Sequence, residues 1–260
     1  MLKTDEVCHL FKHACFLQIG ILFVEKVMGV SKKFFCLPEN MKKPFSRGNF
    51  SYVNHGWVSL ETESLNPRCP GDLKEAFNTT SLRNWPSEEI DDFQDVHVSF
   101  YLRSEVFLSA HKHIGSDVNG TTLRTLYYPP VNSTCVKENQ LRCGEHSDYG
   151  SITLVFQSSE GGLQVLNRAG EFISAPSIPG TVLINIADLM QRWTSDVYVS
   201  AVHRVLLPPA GDSSTRQSLV FFVQPDDEAI ISCCDGSDKY PPVKSVDYIL
   251  SRFKDSYGKN

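Results

Sequence analysis

Residues 144–166 read GEHSDYGSITLVFQSSEGGLQVL. A segment carrying an imidazole and a carboxylate opens onto the β-branched run Ile152 to Gln157, and Gly161-Gly162 then punctuates the chain before a second apolar run, Leu163 to Leu166. Valine, isoleucine and aromatic side chains fit a pleated surface, while paired glycines supply the backbone freedom of a tight turn, so the segment predicts two short strands joined by a loop. The same texture extends both ways. Leu123 to Tyr128 lies upstream, and Val182 to Ile186, Val202 to Leu207 and Leu219 to Val223 lie downstream. Pro129-Pro130, Ala169-Gly170, Pro179-Gly180 and Pro208-Pro209 separate them. Short strands broken by turn signals predict a mainly β fold, a double-stranded β-helix or jelly roll over residues 121–235, with its chemistry inside the open mouth.

Before Gly120 the pattern changes. Phe23, Val27, Val30 and Phe34 recur at helical spacing and Leu37-Pro38 ends the run, which predicts a helix with one face on the core. A second helix is predicted after Pro86-Ser87. Ser87 would cap it, Glu88, Glu89, Asp91 and Asp92 suit its positive end, and an apolar stripe runs through Phe93, Val96, Phe100 and Phe107 towards Ala110. Residues 39–86, rich in Pro, Gly, Asn and Ser, read as loops with short extended pieces, and Lys42, Lys43 and Arg47 as a solvated face. The organisation expected is one structural domain: a helical and loop region over 1–120 packed on one face, the β core over 121–235, and a C-terminal helix over 236–260.

With 41% apolar and 21% charged residues in a chain of 260, the composition is that of a globular protein able to bury a sizeable core. A formal charge of −5 leaves no broad basic surface, which argues against nucleic acid as a partner and for a small-molecule substrate. The apolar run from Ala14 to Val24 is interrupted by Gln18 and followed by Glu25 and Lys26, too short to span a bilayer. Asp5 and Glu6 stand where a signal peptide would be basic. The cysteines lack the short regular spacings of a disulfide framework or zinc ribbon and read as reduced thiols. The expectation is a cytoplasmic monomer in which the sequons at Asn49, Asn78, Asn119 and Asn132 arise by chance.

His146 and Asp148 stand two residues apart, so in extended chain both side chains project to one side and can reach one metal ion. A third ligand is expected from a distant strand, and His203 lies in the run Ser200-Ala201-Val202-His203-Arg204-Val205. Two histidines and a carboxylate on one face of an octahedron leave positions open for a chelating co-substrate and O₂, the arrangement that suits Fe(II). A His-x-Asp pair alone is common, and a buried histidine is more often hydrogen-bonded than metal-bound. Thr215-Arg216-Gln217-Ser218 adds weight, because Arg216 and Ser218 also share a side and present a guanidinium and a hydroxyl to the interior. Such a pair suits a carboxylate ligand, the alternative for Arg216 being an ion pair with one of the chain's own acids. Cys143 with His146 offers a weaker zinc reading; the thiol reads more readily as a small buried hydrophobe.

The segment from His146 to Leu154 resembles the His-Thr-Asp-x-Gly-x-x-Thr-Leu signature of the isopenicillin N synthase-like family of iron and 2-oxoglutarate-dependent dioxygenases. Gly162-Leu163-Gln164-Val165, Pro179-Gly180, Asn185-Ile186-Ala187-Asp188, Gln191-Arg192-Trp193-Thr194, His203-Arg204-Val205 and Arg216-x-Ser218 follow in that family's order, and Gly71 to Phe77 and Tyr127-Tyr128-Pro129 match upstream. The resemblance implies His146, Asp148 and His203 as iron ligands, with Arg216 and Ser218 on the distal carboxylate of 2-oxoglutarate and Tyr128 in the same pocket. It implies hydroxylation or desaturation of a small organic substrate using O₂, with 2-oxoglutarate decarboxylated to succinate. The alternatives are a same-family oxidase that needs no 2-oxoglutarate and a truncated, non-catalytic form of the fold. Leu126 stands where relatives often carry asparagine, and the family's N-terminal strand, helix and Gly-Phe-Phe strand are not found ahead of the first helix, which reads as a shortened N-terminal region.

Overall fold

In the strand Thr122–Tyr128, Leu123 and Tyr127 join an outer apolar layer, whereas Arg124, Leu126 and Tyr128 line an inner cavity. This alternation is the two-residue period of extended chain, and it organises the molecule. The computed structural model describes residues 26–47, 54–80, 86, 111–131, 136–233 and 235–257, together with the backbone of 21–25. In chain order the strands are β1 (Gly56–Val58), β2 (Glu75–Thr79), β3 (Thr122–Tyr128), β4 (Cys143–His146), β5 (Ile152–Gln157), β6 (Leu163–Leu166), β7 (Phe172–Ser174), β8 (Leu183–Ile186), β9 (His203–Val205), β10 (Arg216–Val223), β11 (Ile230–Ile231) and β12 (Val243–Lys244). The helices are α1 (Ile21–Phe35), α2 (Glu39–Lys42), α3 (Asp188–Trp193) and α4 (Ser245–Tyr257).

The strands build a six-stranded sheet, β1-β2-β3-β10-β5-β8, and a four-stranded sheet, β4-β9-β6-β7, with antiparallel pairing throughout both. Their inner faces meet in an apolar layer in which Leu126, Val155 and Val220 of the larger sheet pack with Cys143, Leu163 and Val205 of the smaller. This is the double-stranded β-helix. The outer face of the larger sheet is closed by α1, whose Val27, Val30, Phe34 and Phe35 pack on Phe77, Leu123, Leu154, Leu219 and Phe221. Phe34 and Phe77 meet edge to face at 5.3 Å between ring centroids. A truncation of either to alanine would cost about 3–5 kcal/mol.

Within residues 39–86, expected as loops with short extended pieces, the extended pieces are β1 and β2, which add to the large sheet. Several expectations need correction. Lys42 is not solvated but buried, donating to Phe35 O at 3.0 Å and to Glu75 at 2.6 Å. The C-terminal helix occupies only Ser245–Tyr257, after the short strand β12. β4, β7 and β11 escape the sequence pattern because they are short and, in β4, polar. The helix predicted after Pro86 lies outside the described residues, as do Asn49, Asn132 and residues 1–20. Asn78 and Asn119 are buried and hydrogen-bonded, so neither can carry a glycan in the folded chain.

One charged cluster lies within this apolar frame. Arg124 on β3 grips Glu63 with both Nη atoms, at 3.0 and 2.6 Å, and Lys74 bonds Glu63 at 2.9 Å and also Asp72. Burial would raise the Glu63 pKa, but the Arg124 and Lys74 charges outweigh it and hold this carboxyl well below its ordinary value. Glu63→Gln should therefore cost about 3–5 kcal/mol at neutral pH, since it leaves buried cations uncompensated. A depressed acid contributes its stability above its unfolded pKa and loses it as pH falls through the folded value, so the gap between wild type and Glu63→Gln should shrink below about pH 4. Denaturant titrations of both proteins across pH 7 to 3 check this; a pH-independent gap would deny the ion cluster its role.

Candidate active site

His146 ends β4, and Asp148 follows in the turn that leads into β5. His203 opens β9 directly opposite His146 in the antiparallel register. The pairing of these two strands, not of the His146 segment with its own following strand, creates the site. His146 Nδ1 lies 2.7 Å from Gly144 O, and His203 Nδ1 lies 2.9 Å from Ala201 O. A carbonyl oxygen can only accept, so each Nδ1 carries the proton and each Nε2 keeps its lone pair. Both Nε2 atoms stand 3.9 Å from Asp148 Oδ1, beyond hydrogen-bonding distance. One donor atom from each of the three side chains lies within 4.8 Å of the others.

These groups fit a divalent cation. Asp148 Oδ2 is buried and has no hydrogen-bond partner among the described residues, a costly state for a carboxylate unless a cation compensates it. Burial holds both imidazoles below their ordinary pKa, and for His203 the neighbouring His146 acts in the same direction. Both are therefore neutral at pH 7, the form that ligates metal. Cys143 does not join them: burial pushes its thiol up to about 12, so it stays protonated, and its Sγ sits 3.5 Å from Lys74 Nζ. The zinc reading is not supported.

Behind the three ligands lies a cavity, and Arg216, Ser218 and Tyr128 line it too. Arg216 pairs with Tyr128 and Ser218 with Leu126 across β10 and β3, which puts all four side chains on the inner face. Arg216 Nε donates to Gly161 O at 2.8 Å and Nη2 to Gln157 Oε1 at 2.9 Å. Its guanidinium lies over the Tyr128 ring at 4.9 Å. Nη1 is buried and has no partner, and Arg216 makes no ion pair with an acid among the described residues. A fixed, uncompensated guanidinium at the end of a cavity suits a carboxylate ligand. Tyr128, hydrogen-bonded to Ser218, keeps its proton because burial raises its pKa. Leu126 makes the adjoining wall apolar, as the sequence implies.

A second chamber is lined by His146 and Asp148 as well. Asn54, ahead of β1, and Phe253 of α4 line this chamber. Glu63, Arg124, Tyr149, Phe222 and Gln224 join them, none of which the sequence pattern singled out. The signal for Arg124 and Phe222 was available in principle. Arg124 keeps step with Leu126 and Tyr128, and Phe222 with Ser218 and Val220, so the strand period turns all of them inward.

The family described as the 2OG-Fe(II) oxygenase superfamily matches residues 119–225. Among curated proteins, the chain is 27% identical over 254 residues to the 2-oxoglutarate-dependent dioxygenase htyE of Aspergillus rugulosus, covering 80% of this chain and 75% of that one. It is 30% identical over 240 residues to the UPF0676 protein C1494.01 of Schizosaccharomyces pombe, covering 80% and 72%. Among solved structures, a full-length Neurospora crassa protein crystallised in complex with alpha-KG and thymine is 28% identical with a TM-score of 0.77, over 96% of this chain and 93% of that one. The chain belongs to the 2OG-Fe(II) oxygenase superfamily. It is an Fe(II)- and 2-oxoglutarate-dependent oxidoreductase acting on a small organic substrate. Among the described residues no helix is long and apolar enough to cross a membrane.

Between Asp148 and β5 the backbone has no room to spare. Ser151 N donates to Val223 O at 2.9 Å, and a Cβ on Gly150 would collide with Val223 O and the Gln224 side chain. Gly150→Ala should push the Asp148 turn off β10, destabilising the protein by about 1–3 kcal/mol. It should also weaken divalent metal binding, because the carboxylate moves with the turn. Thermal melts with and without Co(II), and a Co(II) titration, measure the two effects; unaltered metal affinity would separate the turn from the ligand set.

Proposed function

We propose that His146, Asp148 and His203 hold Fe(II), that Arg216, Ser218 and Tyr128 hold the distal carboxylate of 2-oxoglutarate, and that the substrate enters from the second chamber. The observation that carries this reading is the pairing of two unsatisfied groups in one cavity: the Asp148 carboxylate oxygen at the ligand end and Arg216 Nη1 at the other. One wants a cation and the other an anion. A 2-oxo acid with a second carboxylate can satisfy both, reaching the metal with one end and Arg216 with the other.

When bound, Fe(II) supplies the redox chemistry by which O₂ converts 2-oxoglutarate to succinate and CO₂ and oxidises the substrate, one oxygen atom going to each in a hydroxylation. The chain's own residues prepare for that chemistry. Gly144 O and Ala201 O keep both imidazoles in the ligating tautomer. Gln157 and Gly161 O lock Arg216 in place, so its contact costs little ordering on binding. Leu126, Val155, Leu163, Val205 and Val220 line the cavity and exclude water from its reacting end.

In this reading residues 121–235 are the oxygenase core of one structural domain, and the protein works as a cytoplasmic monomer. The thiols of Cys36, Cys69, Cys143 and Cys233 are unpaired, as in a reducing compartment.

Alanine at His146, Asp148 or His203 should abolish substrate-dependent succinate formation. Arg216→Gln should raise the KM for 2-oxoglutarate by about thirty-fold, equivalent to ~2 kcal/mol for a lost charge-assisted contact. Ser218→Ala should raise it only several-fold, for a loss of ~1 kcal/mol. A 2-oxo acid lacking the distal carboxylate should cost wild type what Arg216→Gln costs, and cost that variant little more. Steady-state assays of succinate with both co-substrates measure these effects. Penalties that add would move Arg216 to the substrate or the fold, and turnover without any 2-oxo acid would favour the oxidase reading.

A further inference from the structure

We infer that the chamber beside the metal ligands selects a neutral, planar, carbonyl-bearing molecule, with Arg124 and Asn54 as the hydrogen-bond donors that recognise it. The inference rests on the site proposed above and names the substrate class for it. Tyr149, Phe222 and Phe253 make most of the chamber's apolar wall, with Leu65 beside them, which favours a flat ring or conjugated system.

The polar side offers two unpaired donors beside one neutral acceptor, the buried Gln224 Oε1, which also lacks a partner among the described residues. Asn54 Oδ1 accepts from Arg47 Nε at 2.9 Å and from Asn78 Nδ2 at 2.8 Å. Two donors converging on one atom settle which end of this amide is oxygen. The Nδ2 group is the end left over, without a partner among the described residues, on a residue that lines the chamber. Arg124 is buried and lines both cavities; its Nη atoms are taken by Glu63, and its Nε–H has no partner among the described residues. Both positions call for an acceptor atom.

Charge decides which acceptor. The cations at this end are Arg47, Arg124 and Lys74 and the anions are Glu63, Asp72 and Asp148, so the charges balance. Tyr257 donates its hydroxyl to Glu63 and, like Cys143, is held protonated by burial. A carboxylate would gain donors but upset this balance and meet Glu63 and Asp148. An organic cation would meet Arg124 and Lys74 and the wrong end of Asn54. A neutral carbonyl satisfies the donors and adds no charge.

The test uses the full protein loaded anaerobically with Fe(II) and saturating 2-oxoglutarate, which keeps carboxylate probes away from Arg216. The visible absorption band of the iron–2-oxoglutarate chelate is recorded first; its absence would overturn the proposed function, whatever the probes then do. Benzamide, benzoate and benzamidinium, near-isosteric but neutral, anionic and cationic, are then compared by paramagnetic broadening of their NMR signals, which marks a molecule held beside the iron. Benzamide should bind at least about tenfold more tightly than either ion. Asn54→Asp keeps the acceptor for Arg47 and Asn78 but replaces the donor with a charged oxygen, and should turn the preference towards benzamidinium by about tenfold or more. Glu63→Gln leaves Arg124 uncompensated and, where the variant folds, should favour benzoate. A wild-type preference for either ion, no broadening of any probe, or an unchanged order in Asn54→Asp would overturn the substrate class.

Discussion

If β4 slipped by one residue against β9, His146 would turn its imidazole to the opposite face of the sheet and lose His203 as its neighbour. The register that sets these two histidines opposite each other is therefore the constraint on which the site depends. It is fixed on both flanks. On one side Cys143 pairs with Val205, both buried in the inner apolar layer, and one extra residue of β4 bulges between this pair and the histidines, which returns His146 to the face of Cys143. On the other, β9 also pairs with β6 through Leu163, Gln164 and Val165. A shift would expose the apolar members of both pairs, so the hydrophobic layer that stabilises the barrel also positions the ligands.

Asp72 extends that constraint to the loop before β2. Its Oδ1 accepts from Gly144 N at 2.7 Å, while Gly144 O accepts from His146 Nδ1. The same carboxylate pairs with Lys74, which bonds the Glu63 gripped by Arg124. One connected set of polar contacts thus runs from a metal-ligand candidate to the wall of the second chamber. Arg124 and Arg216 stand on neighbouring strands of one inner face, yet their surroundings divide them. Arg124 meets a carboxylate of its own chain, whereas Arg216 meets only neutral oxygens and keeps its charge for a ligand.

How far each feature could be read from the sequence depends on how locally it is encoded. The strands Ile152–Gln157 and Leu163–Leu166 coincide with their predicted runs, because strand period, β-branched residues and flanking turns agree there. The inward turn of Arg216 and Ser218 came from the same period. The extended pieces expected in residues 39–86 could not be placed from the sequence: β1 and β2 are short and sit among turn formers, and the large sheet, not propensity, makes them strands. Burial of Lys42 was equally hidden, since a lysine reads as solvated until Phe35 O and Glu75 are brought to it by the fold. The ligand triad was legible as residue types at a spacing, but its closure needed the β4–β9 pairing.

The C-terminal helix shows how a remote segment can shape the chamber without touching the metal ligands. Tyr257 donates to Glu63, Ser256 is 2.7 Å from the Tyr149 hydroxyl, and Phe253 supplies part of the aromatic wall. Arg47 lies over the Tyr257 ring at 3.9 Å while it donates to Asn54. The helix is therefore connected to both proposed donors, to Arg124 through Glu63 and to Asn54 through Arg47. Because these contacts converge on orientation and not on chemistry, drift in this helix would act first on which molecules the chamber accepts. The ligand triad, held by the pairing of β4 with β9, would stay in place.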